Sequence, residues 1–130
     1  MPIAAVTRLR LRSLRFVPLL IVAAIRARRQ ARTSDGCLAA DTRTERGRVF
    51  WTRTLWRDAA AMHGFARRDA HGAAMPRLQD WCDEASVVHF EHGTLPDWDE
   101  AEARLRDAGR VSRVRHPSPA HARGETVPAG

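Results

Sequence analysis

Phe50-Trp51-Thr52-Arg53-Thr54-Leu55-Trp56-Arg57-Asp58 is the stretch that decides the fold of this chain. From Val49 to Trp56 the residues are mostly β-branched or aromatic, the pattern of a strand. Val49, Trp51, Arg53 and Leu55 fall on one face, and Phe50, Thr52, Thr54 and Trp56 on the other. Both faces are half apolar, so this strand is expected to be covered on both sides, as a central strand or one whose second face meets a partner. Asp58 is placed to cap a helix that follows at once, through Met62 and Phe65 to about Arg68. Three of the four Trp residues lie between positions 51 and 81, which places an aromatic wall beside a histidine.

Before this stretch, Ala5–Arg12 alternates leucines with arginines and predicts a strand with one solvated face. Pro18 suits the first turn of a helix, and Val17, Leu20, Ile21, Ala24, Ala27 and Ala31 recur at helical spacing. Asp35-Gly36 ends that helix, Cys37–Thr42 reads as a strand, and Glu45-Arg46-Gly47 reads as a tight turn with Gly47 supplying a positive φ. After it, a helix over Ala70–Glu84 is expected to kink or restart at Pro76, because the proline ring clashes with the preceding turn. Ala85–His92 reads as the fourth strand and Trp98–Ala108 as a short helix. The order is β-α-β-β-α-β, the ferredoxin-like α+β arrangement: a four-stranded antiparallel sheet with helices on one face. Residues 1–108 are expected to form one domain with a short helical extension, and residues 109–130 a polar, disordered tail. The other sheet face would be bare and apolar, so a homodimer through it is expected.

The 130 residues carry a formal net charge of +7, and every basic residue is Arg. The abundance of Ala and Arg without Lys matches GC-rich bacterial coding. No helix-turn-helix or RNA-binding aromatic pattern accompanies the charge, so nucleic acid is not an expected partner. Cys37 and Cys82 have no metal or CxxC spacing and read as reduced, buried thiols. The apolar run Phe16–Ile25 is too short to span a bilayer and lacks a cleavage site, so the expected location is cytoplasmic. Arginines flank that run on both sides, so peripheral membrane contact through the basic N-terminal third is the alternative.

Phe50–Asp58, with Met62, Phe65, Ala70-His71, Met75 and Trp81-Cys82-Asp83-Glu84-Ala85, resembles the dimeric α/β-barrel superfamily. Within it the chain is similar to uncharacterised bacterial domains near the antibiotic biosynthesis monooxygenases and spheroidene monooxygenase. The resemblance covers roughly residues 5–92, and the 109–119 stretch also resembles that uncharacterised group. It implies a dimeric barrel and oxygenase-type chemistry on an apolar or aromatic small molecule. Two versions of that chemistry can be tested by position. Cofactor-independent members use an Asn, a Trp and a Tyr; this chain has no Asn and no Tyr, and Trp56 alone remains. Haem-degrading members use an Asn, a pocket Trp and an axial His; Phe65 and Met75 fall at the last two positions, with His71 one turn before Met75. Haem is therefore allowed by the resemblance and required by nothing in the sequence.

His71, Met75, Leu78 and Cys82 share one helical stripe. His71 reads either as a ligand or acid-base group, tuned by an aromatic neighbourhood, or as a helix-capping residue. Met75, Leu78 and Cys82 read first as core. If a cavity exists, His71 is its expected catalytic centre and Trp56, Phe65 and Met75 its substrate walls. Asp80, Asp83 and Glu84 do not converge for a metal, and His89 and His92 lie on opposite strand faces. Arg10, Arg12 and Arg53 would hold an acidic substrate if they faced the cavity, and otherwise read as solvated edge residues. The chain thus reads as a monooxygenase-like domain, with a non-catalytic dimeric binding or stress-associated domain as the alternative.

Overall fold

β1 (Ile3–Leu11) is the middle strand of the sheet, paired antiparallel with β3 (Val49–Trp56) on one side and β4 (Cys82–Glu91) on the other. The computed structural model describes residues 1–46, 48–67 and 76–128. β2 (Cys37–Glu45) completes one edge and β5 (Arg110–Val111) the other, giving the order β2-β3-β1-β4-β5. The first four strands follow the expected ferredoxin-like order. The fifth was not expected: Arg110 and Val111 pair with Val87 and Ser86 of β4, within the segment read as a disordered tail.

Three helical pieces cover one face. A 3-10 turn (Leu14–Phe16) leads into α1 (Val17–Thr33), with Pro18 in its first turn as its fixed φ favours. α2 (Ala59–Ala66) starts at Asp58, whose carboxylate accepts from the Ala61 N–H at 2.9 Å. Residues 76–81 form α3. Leu11, Phe16, Leu20, Trp81 and Cys82 pack together at one end of this face, and Ala31, Trp56 and Met62 at the other. Gly36, at φ +87°, joins α1 to β2.

Helix α3 ends at Trp81, and β4 begins at Cys82 rather than Ala85. Cys82 therefore lies on a strand, opposite Leu11, and leaves the helical stripe predicted for it. Pairing with β1 overrides local helix preference here, because Asp83 and Glu84 reach the β1 arginines from the sheet. Arg10 binds Asp83 at 3.1 Å and Glu84 at 3.4 Å, and Arg8 binds Glu84 at 2.9 Å.

The opposite face is covered too, against the expectation of helices on one face only. α4 (Trp98–Ala108) lies across it, capped by Asp97, and buries Ala101 and Leu105 against Val6, Val49, Trp51 and Val88. Trp51 is 1% exposed. The bare apolar face from which a dimer was argued is thus filled by the same chain. The predicted solvated face of β1 is corrected for the same reason, since Arg8 is buried.

The segment after β5 folds back over β4, which corrects the disordered tail through residue 128. α5 (Pro119–Ala122) is capped by Ser118, and the Ser118 hydroxyl donates to Glu84 Oε2 at 2.7 Å. Burial works against the Glu84 carboxylate, but the Ser118 hydroxyl and the Arg8 and Arg10 guanidiniums outweigh it and hold its pKa below the ordinary value. The Ser86 hydroxyl donates to the Thr126 carbonyl at 2.7 Å, and the Thr126 hydroxyl donates to the Leu105 carbonyl at 2.8 Å. His121 Nε2 donates to the Ser112 carbonyl at 2.8 Å. The segment supplies partners for buried polar groups, which is why its polar composition does not leave it unfolded.

Candidate functional site

Strand register defines the face beneath α1 and α2. Ile3 lies beside Trp56; Ala5 lies between Thr54 and His89; Thr7 lies between Thr52 and Val87. These are short side chains in the middle of the sheet, and Ala5, Thr7, Thr52, Thr54 and Val87 stay half-buried while the ends of the face are closed. Aromatic groups bound this stretch of short residues, Phe50 and Trp81 toward one end and Trp56 and Phe65 toward the other.

Trp56 forms the firm wall. It is buried, and its indole Nε1 donates to the Thr54 hydroxyl at 2.8 Å, which fixes the ring. Phe65 of α2 packs against it with centroids 5.0 Å apart and planes at 31°. Met62 and Ala31 close the contact from behind. The two walls read from the sequence, Trp56 and Phe65, are therefore brought together. His71 and Met75 lie outside the described residues.

Two histidines meet at this face. His63 of α2 and His89 of β4 stand nearly perpendicular, 85°, with centroids 6.4 Å apart. His89 keeps an exposed edge, yet partial burial of its ring lowers its pKa, helped by Arg110 and by His63. A lowered pKa keeps the imidazole neutral at neutral pH, able to accept a proton or a hydrogen bond. From the sequence, His89 is set on the strand face opposite His92, and His63 is given no role. The available signal was its α2 position next to Met62, which packs against Trp56 of β3 and brings His63 to His89.

The remaining candidates have structural partners. Arg53 donates to Asp41 at 2.7 Å and to the Pro96 carbonyl at 2.6 Å, and the Arg53 bond lowers the Asp41 pKa. Arg12 donates to the Asp80 carbonyl at 2.6 Å. Arg10, Arg12 and Arg53 are thus neither solvated edge residues nor free for an acidic substrate. Arg43 and Arg53 stack on Trp98, 4.7 and 4.4 Å from its ring centroid, beneath α4. Burial, then the Asp83 charge, pushes the Cys82 thiol up to about 12, so it is no nucleophile at neutral pH. Among the described residues no three His, Cys, Asp or Glu side chains cluster to hold a metal ion. Among the described residues His63 and His89 are the two imidazoles that approach each other at this face. A pocket of about 450 Å³ adjoins Phe65, lined also by Thr33, Asp35, Arg57 and Asp58.

Residues 25–112 match the family model described as a domain of unknown function, DUF3291. The chain belongs to the DUF3291 family. No curated protein matches it. Solved structures show what fold this DUF3291 chain has. It is similar to SnoaB, a cofactor-independent oxygenase from Streptomyces nogalater, at 14% identity, covering 74% of this chain and 98% of that one, with a TM-score of 0.60. It is similar to Rv0793 from Mycobacterium tuberculosis at 14% identity, covering 72% and 97%, with a TM-score of 0.64. A structure described as an antibiotic biosynthesis monooxygenase matches at 14% identity, covering 71% and 99%, with a TM-score of 0.63. At such identities the likeness establishes the fold alone: this DUF3291 chain shares the ferredoxin-like fold of these structures, with about a quarter of the chain outside the match.

Proposed function

We propose that this DUF3291 domain binds a small apolar or aromatic molecule between α2 and the sheet, as a monooxygenase-like domain. The observation that carries the reading is the fixed Trp56–Phe65 wall beside the His63–His89 pair. An aromatic wall takes a flat apolar ligand, and a neutral imidazole at its edge can orient or deprotonate a hydroxyl on that ligand. His89 is the base this geometry favours, and His71 and Met75 remain candidates on sequence grounds. The second reading, a binding domain without catalysis, is favoured by the absence of any Asn or Tyr from the chain.

Titration with a panel of fused-ring phenols, followed by Trp fluorescence, tests binding. Saturable quenching that is lost in Phe65→Ala supports the site. Oxygen uptake with a bound hydroquinone, reduced in His89→Ala, supports catalysis. Binding without oxygen uptake supports the second reading, and no saturable binding overturns both. Adding haemin and recording a Soret band tests haem separately.

A further inference from the structure

We propose that the outer face of α1 docks this protein onto an anionic lipid surface. α1 is 17 residues long, and it turns the wrong residues outward for a solvated helix. Leu20 and Ala31 face the sheet. At about 100° per residue, Val22, Ile25, Arg29 and Arg32 fall on the opposite side, with Leu19 and Ile21 flanking them. Leu14, Leu19, Ile21, Val22 and Ile25 expose between 45% and 62% of their surface. Contiguous exposed apolar residues of this size mark an interaction surface.

Charge decides the occupant. Residues 1–34 hold eight Arg and no Asp or Glu. Arg8, Arg10 and Arg12 are ion-paired within the fold. Among the described residues Arg15, Arg26, Arg28, Arg29 and Arg32 form no ion pair, and they border the apolar patch at both ends. A second copy of this face brings the same arginines and no Asp or Glu from residues 1–34 to neutralise them, so self-pairing is disfavoured. An anionic headgroup layer offers both complements at once: acyl chains for the leucine, valine and isoleucines, and negative charge for the arginines. No helix among the described residues is long and apolar enough to cross a membrane, so the contact is in the interface plane.

The test is co-sedimentation of the full chain with phosphatidylcholine vesicles, with and without roughly 30 mol% phosphatidylserine, at about 0.1 M and 0.5 M NaCl. Binding should require phosphatidylserine and weaken at high salt. Val22→Ser with Ile25→Ser should abolish it, and Arg26→Gln with Arg29→Gln should weaken it about 25-fold, from about fivefold per charge. All four positions are exposed, so circular dichroism melts should match the parent. Absence of phosphatidylserine-dependent binding, or binding that ignores these variants, overturns the proposal. So does a Val22→Ser, Ile25→Ser variant that only turns a self-associated species into monomer, which would make α1 a contact between copies.

Discussion

The Ser118 hydroxyl donates to Glu84 Oε2 at 2.7 Å, across 34 positions of chain, and ties the C-terminal segment to the centre of the sheet. Arg8 takes the other carboxylate oxygen at 2.9 Å, so the buried charge is satisfied from both sides. Ser118→Ala removes this bond and the cap of α5 together, and should cost about 1–3 kcal/mol in urea unfolding. Arg8→Leu should cost about 3 kcal/mol, the low end for breaking a buried pair, because Arg10 lies 3.4 Å from Glu84 and retains part of the compensation.

The same carboxylate makes stability depend on pH. Folding lowers the Glu84 pKa, so its contribution is complete above the unfolded-state pKa and is lost as pH falls through the folded value. Asp83 is shifted upward, chiefly by burial, and opposes this. Comparing parent with Glu84→Gln isolates one group: the stability gap should be largest near neutrality and close as pH drops below the ordinary carboxylate range. A gap that stays constant on acidification would show that the charge contributes nothing.

Helix α4 covers the sheet face that the sequence left bare. Leu105 is fully buried against the Val6, Trp51 and Val88 face, and Leu105→Ala should cost about 2–5 kcal/mol. Truncation before Trp98 should expose Trp51 and Val88 and drive self-association, seen as a larger sedimentation coefficient. A truncated chain that stays monomeric would show that the sheet face tolerates water.

Period-two alternation in β1 and β3, the Asp58 cap and the Trp98–Ala108 helix were legible because local pattern and tertiary structure agree there. The placement of α4 was not legible, since an amphipathic helix does not say which sheet face it will cover. The strand character of Cys82–Glu84 was hidden for a different reason: its determinant is ion pairing to Arg8 and Arg10, more than seventy positions away. The walls Trp56 and Phe65 followed from strand and helix periodicity, whereas the His63–His89 approach depends on how α2 seats on the sheet.

That approach has a spectroscopic consequence. The His89 imidazole should titrate below the ordinary histidine value in NMR, because burial, Arg110 and His63 all favour its neutral form. His63→Ala should move it upward by removing one of the three. A His89 titration unchanged in that variant would separate the two rings and weaken the case for a shared site.

Gly36 joins α1 to β2 at φ +87°, and a Cβ there would lie 2.5 Å from the Ala61 Cβ of α2. Two penalties therefore add in Gly36→Ala. The left-handed backbone costs an L-residue about 1–2 kcal/mol, and overpacking against α2 costs about 1–3 kcal/mol. They can be separated, because Ala61→Gly removes the steric partner and leaves the backbone conformation. Ala61→Gly alone should cost about 1 kcal/mol in helix propensity. The double variant should then be more stable than the sum of the two single losses predicts, by the steric part. Gly93→Ala is the control: its Cβ meets nothing within 4 Å, and its unfolding midpoint should match the parent. If Gly36→Ala and Ala61→Gly prove simply additive, α2 does not rest on Gly36, and the end of the aromatic wall it supports is looser than the packing implies.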